Sequence, residues 1–314
     1  MDVPTFTVVM PAHNAVATIG AAIASALAQN RADLELLVVD DGSTDGTADE
    51  VRRFSTDPRV RLLTQQQAGP GAARNAAFAR ATGRYVSMLD SDDLWLPSYL
   101  DAVSEALDRT PEAGLAYTSA WVLDDPPGLV RRGVRFAEAP NRPPTLDAAA
   151  FLLGLARRNF LVNSTVTVRR SALEDVGGCN TALAAAIDFE LWLRIAAAGY
   201  GAVIAPGCHA IYRSRPGSIQ NDPRNELRAH RNLREVYRGV AEEWDVAAEV
   251  RTVARARISE LDRQIAILSG ERRLDAALLV LRRRASRAKR VLWRRRLWHA
   301  EPPPELAQTL GMDR

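Results

Sequence analysis

A short apolar run that ends in three carboxylates constrains this chain more than any other feature. Residues 85–95 read YVSMLDSDDLW. The first five predict a short buried strand, and Asp90, Asp92 and Asp93 follow it directly. Carboxylates held so close together repel one another, so their pKa values rise or a cation binds between them. Mg²⁺ and Mn²⁺ prefer such hard oxygen ligands. A polar turn that caps the next helix is the alternative, and this stretch alone leaves both readings open.

Size and composition indicate a globular protein with an aqueous surface. The chain has 314 residues, 47% hydrophobic and 25% charged, enough for one large domain or two ordinary ones. Its apolar runs stay below the roughly 18 residues that a membrane span requires, and its first residues lack the basic start of a signal peptide. Cys179 and Cys208 have neither disulfide-framework nor metal-site spacing. We therefore expect reduced thiols and a cytoplasmic location.

The first hundred residues alternate between strand and helix patterns. Apolar runs predict strands at 6–10, 34–39, 60–64 and 85–89, with helices predicted between them at 17–29, 47–54 and 71–81. Thr47 and Glu50 have the spacing of a capping box at the start of the second helix. Such alternation is typical of right-handed βαβ units, so the sequence predicts an α/β fold with a mostly parallel sheet flanked by helices.

Two familiar ligand motifs are imitated here and rejected. Asp41, Ser43 and Asp45 resemble the start of an EF-hand loop, but the twelfth position is Arg52, where a bidentate Glu is required. The GPGAAR stretch at 69–74 resembles a dinucleotide fingerprint, but it ends in Arg and follows the third strand instead of the first.

The ends of the predicted strands converge instead on one site. The first strand leads to residues 11–14 and the second to Asp40 and Asp41, while the loop after the third carries Arg74 and the fourth ends in the acids. Ligands of open α/β sheets bind at the carboxyl ends of strands. Acids for a metal, an arginine for phosphate and a flat histidine ring for stacking suit a metal-bound nucleotide diphosphate.

Four motifs together resemble a known family. They are VVMPAHN (8–14), VVDDGSTDGT (38–47), GPGAARN (69–75) and LDSDD (89–93). In this order and at this spacing, they resemble the nucleotide-binding half of family-2 glycosyltransferases with the GT-A fold. The resemblance continues to about residue 220 and implies an inverting transferase that uses a nucleotide-diphosphate sugar.

The resemblance also assigns roles to individual positions. It implies that Pro11 and His13 flank the base, that Asp41 hydrogen-bonds it, and that Arg74 lies near the diphosphate or the base. Asp90 and Asp92 would form the D-x-D element, with Asp92 or Asp93 as the direct ligand of Mn²⁺ or Mg²⁺. Asp40 is interpreted as a loop-capping acid. The full set expected to bind the nucleotide-sugar is Pro11, Ala12, His13, Asn14, Asp41, Gly71, Arg74, Asp90, Ser91, Asp92 and Arg215.

The second half of the catalytic region is predicted to carry the acceptor side. Apolar patterns predict helices at 97–109 and 147–157 and strands at 115–123 and 165–168, with a surface loop at 124–145. Ser171 and Glu174 have capping-box spacing, and the helix that they begin is expected to end at the glycine pair 177–178.

One acid of this half stands out. Asp188 is expected in the first turn of a helix, where the macrodipole favours a carboxylate. The stretch DFELWLR (188–194) resembles the acceptor-side motif of the family, which implies that Asp188 is the general base. Glu190 and Arg194 are interpreted as structural, the latter in a salt bridge, and Trp192 as core or acceptor pocket.

Two positions depart from the family pattern. Ile187 stands where a Glu is common just before the base. Arg215 stands where many members have a histidine that serves metal or diphosphate. Arginine cannot bind a metal but can hold a phosphate, so a diphosphate contact is the role that remains.

The last part of the chain is predicted to be helical and basic. The pattern reads helical from 225 to 297, with a break near 269–270. Residues 282–296 contain nine Arg or Lys and no acid, whereas the whole chain carries only +3. Leucines and tryptophans accompany them in 278–298, which suits an anionic membrane surface. Packing on the catalytic domain and contact in a homo-oligomer are the alternatives.

The sequence thus predicts a GT-A catalytic domain at 1–224, divided into a nucleotide-sugar half (1–95) and an acceptor half (96–224), and a helical extension at 225–314. The resemblance implies a UDP-sugar donor, a saccharide or lipid-linked acceptor in cell-surface polysaccharide or glycoconjugate synthesis, and work at the inner face of the membrane. A nucleotidyltransferase is one rival, although no basic triphosphate motif lies near the first strand. Non-enzymatic binding of membrane or nucleic acid through the tail is the other, but it leaves the acids unexplained. We expect no specific nucleic-acid partner.

Overall fold

A computed structural model describes residues 4–124, 129–133, 144–214 and 223–269. The chain divides after Ser214 into two compact units, which are described separately. The predicted domain boundary at 224 stays a prediction, because residues 215–222 lie outside the described ranges.

The first unit is built on one mixed sheet. Its strands are β1 (Phe6–Ala12), β2 (Leu34–Asp41), β3 (Val60–Gln65), β4 (Tyr85–Met88), β5 (Leu94–Trp95), β6 (Ala113–Asp124), β7 (Leu129–Gly133), β8 (Thr145–Leu146), β9 (Val166–Arg169) and β10 (Gly201–Ser214). Its helices are α1 (Ile19–Leu27), α2 (Thr47–Arg52), α3 (Pro70–Phe78), α4 (Tyr99–Asp108), α5 (Ala148–Arg157), α6 (Arg170–Val176) and α7 (Ile187–Ala197), and a 3₁₀ turn spans Asn163–Thr165.

The strand order creates the crevice that positions the site. The sheet runs β3-β2-β1-β4-β9-β6-β10-β5, with β7 paired to β6 and β8 to β10. Strands β3, β2, β1 and β4 are parallel, β6 is parallel to β10, and β9 runs antiparallel between β4 and β6. The chain leaves β1 toward β2 and β3, then returns to form β4 on the other side of β1. Such a switch point is where open α/β sheets bind ligands, and the predicted mostly parallel α/β sheet is confirmed.

Aromatic packing supports the turn between β4 and β5, which carries Asp90, Asp92 and Asp93 and is called the acid-bearing turn below. Trp95 and Tyr99 stack with ring centroids 4.1 Å apart, and each is at most 1% exposed. The Trp95 indole N–H donates to the Ser164 carbonyl at 2.7 Å. The turn between β4 and β5 is therefore tied through Trp95 to both α4 and the 3₁₀ turn.

Both predicted capping boxes are wrong. The N-cap of α2 is Gly46, with φ of 91°, and the Thr47 hydroxyl instead accepts from the Ala15 N–H at 2.8 Å. Ser171 lies inside α6, which already begins at Arg170. In the first case the hydroxyl fixes the loop after β1, because that loop needs a partner for its own N–H groups.

The predicted loop at 124–145 is corrected in part. Strand β7 lies within it and pairs antiparallel with β6. The predicted helix at 147–157 is confirmed as α5, and the Asp147 side chain caps it by accepting from the Ala150 N–H at 2.8 Å.

The second unit is a pair of helices, α8 (Pro223–Glu242) and α9 (Ala248–Leu268). Apolar residues of both helices, such as Tyr237 and Val240 of α8 and Ala254 and Leu261 of α9, are buried. The interruption between the two helices was missed by the sequence interpretation. The basic segment and the predicted helix beyond 270 lie outside the described residues. In the part of the chain that the structure describes, no helix is both long and apolar enough to cross a membrane.

Candidate active site

The acid-bearing turn after β4 brings Asp90 to the mouth of the crevice. Its backbone closes through a hydrogen bond from the Asp93 N–H to the Asp90 carbonyl at 3.0 Å. Oδ1 of Asp90 accepts from the Arg74 guanidinium and from the Asn163 carboxamide, both at 2.8 Å. The Asp90 side chain remains 31% exposed, so this carboxylate is oriented from inside and still reaches the crevice.

Asp93 faces the protein interior. It is 1% exposed, Oδ2 accepts from the Ser164 hydroxyl at 2.5 Å, and Oδ1 accepts from the Arg213 backbone N–H at 2.9 Å. Burial, followed by the nearby charges of Asp92 and Asp90, raises the pKa of the Asp93 carboxyl well above its usual range. Its neighbours Ser91 and Asp92 are half-buried, and the Asp92 carbonyl accepts from the Arg213 guanidinium at 3.0 Å.

The 3₁₀ turn at 163–165 holds Asp90 and Asp93 through hydrogen bonds. The sequence interpretation did not predict this turn. The Ser164 hydroxyl accepts from the Asp90 N–H at 3.0 Å while it donates to Asp93. Asn163 and Ser164 are both buried. A signal was available, because three polar residues interrupt an apolar run between Phe160 and Val168.

We predict that Ser164→Ala destabilises the protein by about 1–3 kcal/mol, because the buried Asp93 carboxyl and the Asp90 N–H both lose a partner. Urea unfolding measures the change. Ser104→Ala is the matched control, since this buried hydroxyl only adds a second bond to a carbonyl within α4. Equal losses for the two variants would contradict the bridging role of Ser164.

The loops after β1 and β2 fix one tautomer of His13. Its Nδ1 lies 2.8 Å from the Asp41 carbonyl, which can only accept, so Nδ1 carries the proton. Nε2 is then the acceptor for the carboxamides of Gln67 at 3.2 Å and Asn14 at 3.3 Å. Asn14 itself has φ of 50° and accepts from the Thr44 N–H at 2.9 Å. The exposed imidazole is thus held at both ring nitrogens, with Nδ1 as the donor and Nε2 as the acceptor.

Asp41 organises the loop before α3. Oδ1 accepts from the Gln65 carboxamide at 2.7 Å and the Ala68 N–H at 2.8 Å, and Oδ2 accepts from the Gly69 N–H at 2.8 Å. Asp40 accepts from the Ser43 N–H at 3.1 Å, as expected of a loop-capping acid. Strand β1 ends with Pro11 and Ala12, which were also predicted to bind the nucleotide-sugar. Both lie at the carboxyl edge of the sheet.

Arg74 of α3 lies between two acids. Its guanidinium is buried, pairs with Asp90, and acts electrostatically on Asp188. The attraction of Asp90, Cys179 and Asp188 exceeds the effect of burial and raises the arginine pKa. The Arg74 Nε–H has no partner within the described residues. An unpaired buried N–H is costly.

Asp188 stands in the first turn of α7, as predicted. Burial raises the pKa of its carboxyl, while Arg74 and the Phe189 N–H oppose the rise and Asp90 adds to it. Behind it, Glu190 pairs with Arg194 at 2.7 Å, which confirms the predicted salt bridge. Trp192 is fully buried and belongs to the core.

Gly71 is the point where α3 meets α7. A Cβ at position 71 would lie 3.4 Å from Ile187, which is ordinary van der Waals contact. Arg215 lies outside the described residues. Within the described ranges, no group of three or more His, Cys, Asp or Glu side chains could hold a metal ion on its own.

We predict that Asp188→Asn raises thermal stability at neutral pH. The folded-state pKa of Asp188 is raised, so its favourable contribution exists at low pH and is lost as pH rises through that pKa. The gain in Tm should therefore shrink as pH falls toward the ordinary Asp range. Asp57→Asn is the control of opposite sign, because Arg59 lowers the pKa of Asp57 and the variant should lose stability at neutral pH. A Tm for Asp188→Asn below that of the wild type at neutral pH would contradict the raised pKa of Asp188.

The strand order with its switch point, together with the acid-bearing turn after β4, is that of the GT-A fold. Solved structures agree in fold. TarS 1–349 of S. aureus in complex with UDP-GlcNAc superposes with a TM-score of 0.63 at 18% identity, covering 82% of this chain and 71% of that one. Mannosyltransferase PcManGT of Pyrobaculum calidifontis, in complex with GDP-Man and Mn²⁺, gives 0.59 at 20% identity, covering 99% and 84%.

The profile of glycosyl transferase family 2 matches residues 7–177, and the chain belongs to this family. The chain is 36% identical over 226 residues to the succinoglycan biosynthesis protein ExoO of Rhizobium meliloti, covering 69% of this chain and 63% of that protein. It is 46% identical over 102 residues to the Escherichia coli UDP-Glc:alpha-D-GlcNAc-diphosphoundecaprenol beta-1,3-glucosyltransferase WfgD, covering 32% and 40%. The chain thus spans less than two thirds of the length of either relative. Asp188 lies beyond the matched profile.

Proposed function

We propose that this protein is an inverting glycosyltransferase that moves a sugar from a nucleotide-diphosphate donor to an acceptor hydroxyl. One observation carries the proposal: Asp90 of the acid-bearing turn and Asp188 of α7 act on the same buried Arg74. A donor-side acid and a candidate base are thereby held at one point, where a donor and an acceptor must meet.

The remaining hydrogen-bonding capacity of Asp41 favours uridine as the donor nucleoside. A carboxylate has about four lone-pair positions, and three are used by Gln65, Ala68 and Gly69. One position remains, on Oδ2. Uracil donates a single ring N–H, whereas guanine also donates from its exocyclic amine and would leave a donor unpaired. The neutral His13 ring offers a flat face for the base.

The acid-bearing turn suits Mn²⁺ or Mg²⁺. The donor set fits such an ion when the substrate completes it, because Mg²⁺ is commonly bound by one or two carboxylates together with substrate phosphates. We assign the direct contact to Asp92, with Asp90 beside it. Asp93 is buried between Ser164 and Arg213, so its part is to orient the turn. The metal would neutralise charge on the leaving diphosphate.

The chain's own residues then supply the remaining steps. Asp188 accepts the proton of the acceptor hydroxyl while that oxygen bonds to the anomeric carbon. The bond from this carbon to the diphosphate breaks, and the electron pair leaves with the nucleoside diphosphate. A single displacement inverts the configuration and needs no nucleophilic residue. The positive charge of the Arg74 guanidinium stabilises negative charge that develops nearby.

The acceptor class follows from the relatives. WfgD acts on a diphosphoundecaprenol-linked sugar by its name, and ExoO serves succinoglycan biosynthesis. We infer a saccharide or lipid-linked acceptor in polysaccharide or glycoconjugate synthesis, reached from the cytoplasmic face of the membrane. The basic segment 278–298 is the part of the sequence suited to an anionic membrane surface.

Nucleotide binding tests the donor side directly. We expect UDP with Mn²⁺ to raise Tm more than GDP, CDP or ADP, since ligands that bind the native state stabilise it. Asp92→Asn should remove the part of the shift that depends on Mn²⁺, whereas Asp49→Asn, at an exposed acid of α2, should retain it. No shift with any nucleotide or intact nucleotide-sugar would overturn the proposed function, and a larger GDP shift would overturn the choice of uridine.

Transfer assays test the role of Asp188. With a donor identified, Asp188→Asn should lower kcat by about 100-fold or more, the scale of a positioned general base, and leave the UDP-induced Tm shift intact. Asp175→Asn, an acid of neighbouring α6 that pairs with Tyr200, is the control and should keep wild-type kcat. Wild-type kcat in Asp188→Asn would remove Asp188 from the mechanism.

A further inference from the structure

The segment between α6 and α7 is held by an asparagine that has no part in the chemistry described above. Asn75 is the last residue of the 69–75 motif and lies on α3. Its carboxamide meets both sides of the backbone of Cys179: Oδ1 accepts from the Cys179 N–H at 2.7 Å, and Nδ2 donates to the Cys179 carbonyl at 2.9 Å. The two bonds join residues 104 positions apart in the chain.

This contact belongs to one face of α3. Gly71, Arg74 and Asn75 are spaced i, i+3 and i+4, which places them side by side on a helix. Gly71 packs against Ile187 at the start of α7, Arg74 pairs with Asp90 and acts on Asp188, and Asn75 holds Cys179. A single helical face therefore contacts both ends of the segment that leads to the proposed base.

The other side of the same segment is held by α7. Arg194 donates to the carbonyls of Val176 and Gly178, and its own position is fixed by Glu190. Gly178 has φ of 76°, and a Cβ there would lie 2.7 Å from Asn75 Oδ1. The backbone at 176–179 is thus enclosed between Asn75 and Arg194.

The exit of the segment shows that its path is imposed. Ala186 has φ of 59° directly before α7. A non-glycine residue in this region costs about 1 kcal/mol or more and persists only where the surroundings determine it. Gly71 packs against Ile187 at this end of the segment, while Asn75 and Arg194 hold its other end.

We propose that Asn75 is a positioning residue, which sets the place of Asp188 against Arg74 by clamping the Cys179 backbone. The inference rests on the proposed function, because the position of Asp188 matters only if it takes part in transfer. The side chain of Asn75 makes its hydrogen bonds to the Cys179 backbone and not to Asp90 or Asp188. Its effect on Asp188 therefore passes through the backbone of the segment. Loss of the clamp should impair the chemical step and spare donor binding.

Cys179 offers a readout that does not depend on activity. Its thiol is 5% exposed, and burial raises its pKa to about 11, so it should react slowly with a thiol reagent. In a Cys208→Ser background, Asn75→Ala should speed labelling of Cys179 by at least about tenfold, because local opening of the segment exposes the thiol. Asn30→Ala is the matched control, since that carboxamide makes one side-chain contact, to Asp101.

Kinetics complete the test. In Asn75→Ala, kcat should fall by about tenfold or more, the scale expected when a reacting group is displaced by a fraction of an ångström, while the donor KM and the UDP-induced Tm shift stay within about twofold. Asn75→Asp keeps the shape and the acceptor but cannot donate to the Cys179 carbonyl. It serves if the alanine variant does not fold, and should show the same split.

The outcomes distinguish a failure of the proposed role of Asn75 from a failure of the proposed function. Faster labelling together with a loss confined to kcat supports the clamp. Unchanged labelling, unchanged kcat, or an equal loss of donor binding in a folded variant overturns it. A wild-type protein that neither transfers nor hydrolyses any nucleotide-sugar overturns the proposed function instead, which the unmodified chain reveals before any variant is made.

Discussion

The ion pair between the buried guanidinium of Arg74 and the carboxylate of Asp90 is the interaction on which the site depends. A charge removed from water is costly unless it is paired, and here Asp90 supplies the pair at 2.8 Å. Since Asp188 is also attracted to Arg74, the arginine draws together two acids that would otherwise repel one another. The helix that carries it lies beside α7, where position 71 packs against Ile187.

Hydrogen bonds from distant parts of the chain make the acid-bearing turn rigid before any ligand arrives. Asn163 and Ser164 hold it from the 3₁₀ turn, and Arg213 holds it from the end of β10. The same three residues decide which carboxylate faces which way: Asp93 is turned inward, and Asp90 remains partly exposed. A preorganised turn of this kind does not have to reorganise when charge changes at the bound ligand.

Sequence reasoning predicted helices and strands that have a periodic pattern, and it missed contacts between residues far apart in the chain. Strands β1 to β4, β6 and β9 follow from apolar and alternating patterns, whereas β5, β7, β8 and β10 were not predicted. The placement of Asp41, Arg74 and Asp90 follows from the rule that strand ends meet at one edge. The roles of Ser164 and Asn75 could not be predicted in this way, because each depends on a partner far away in the chain. The capping box at Thr47 failed because spacing alone does not reveal that its hydroxyl already serves the loop after β1. The one at Ser171 failed because α6 already begins at Arg170. The predicted roles in nucleotide-sugar binding, catalysis and metal binding all stay predictions.

Charge balance links the acids to the need for a cation. The described residues of the site include four carboxyl groups, of Asp90, Asp92, Asp93 and Asp188, and two guanidinium groups, of Arg74 and Arg213. Burial favours a neutral form of Asp93 and Asp188, as the raised pKa values of both indicate. A diphosphate would bring further negative charge into the same space, and the two arginines are already engaged with Asp90 and with the Asp92 carbonyl. A divalent ion held at Asp92 would offset this excess, because it would lower the repulsion that opposes donor binding and the ionisation of Asp188.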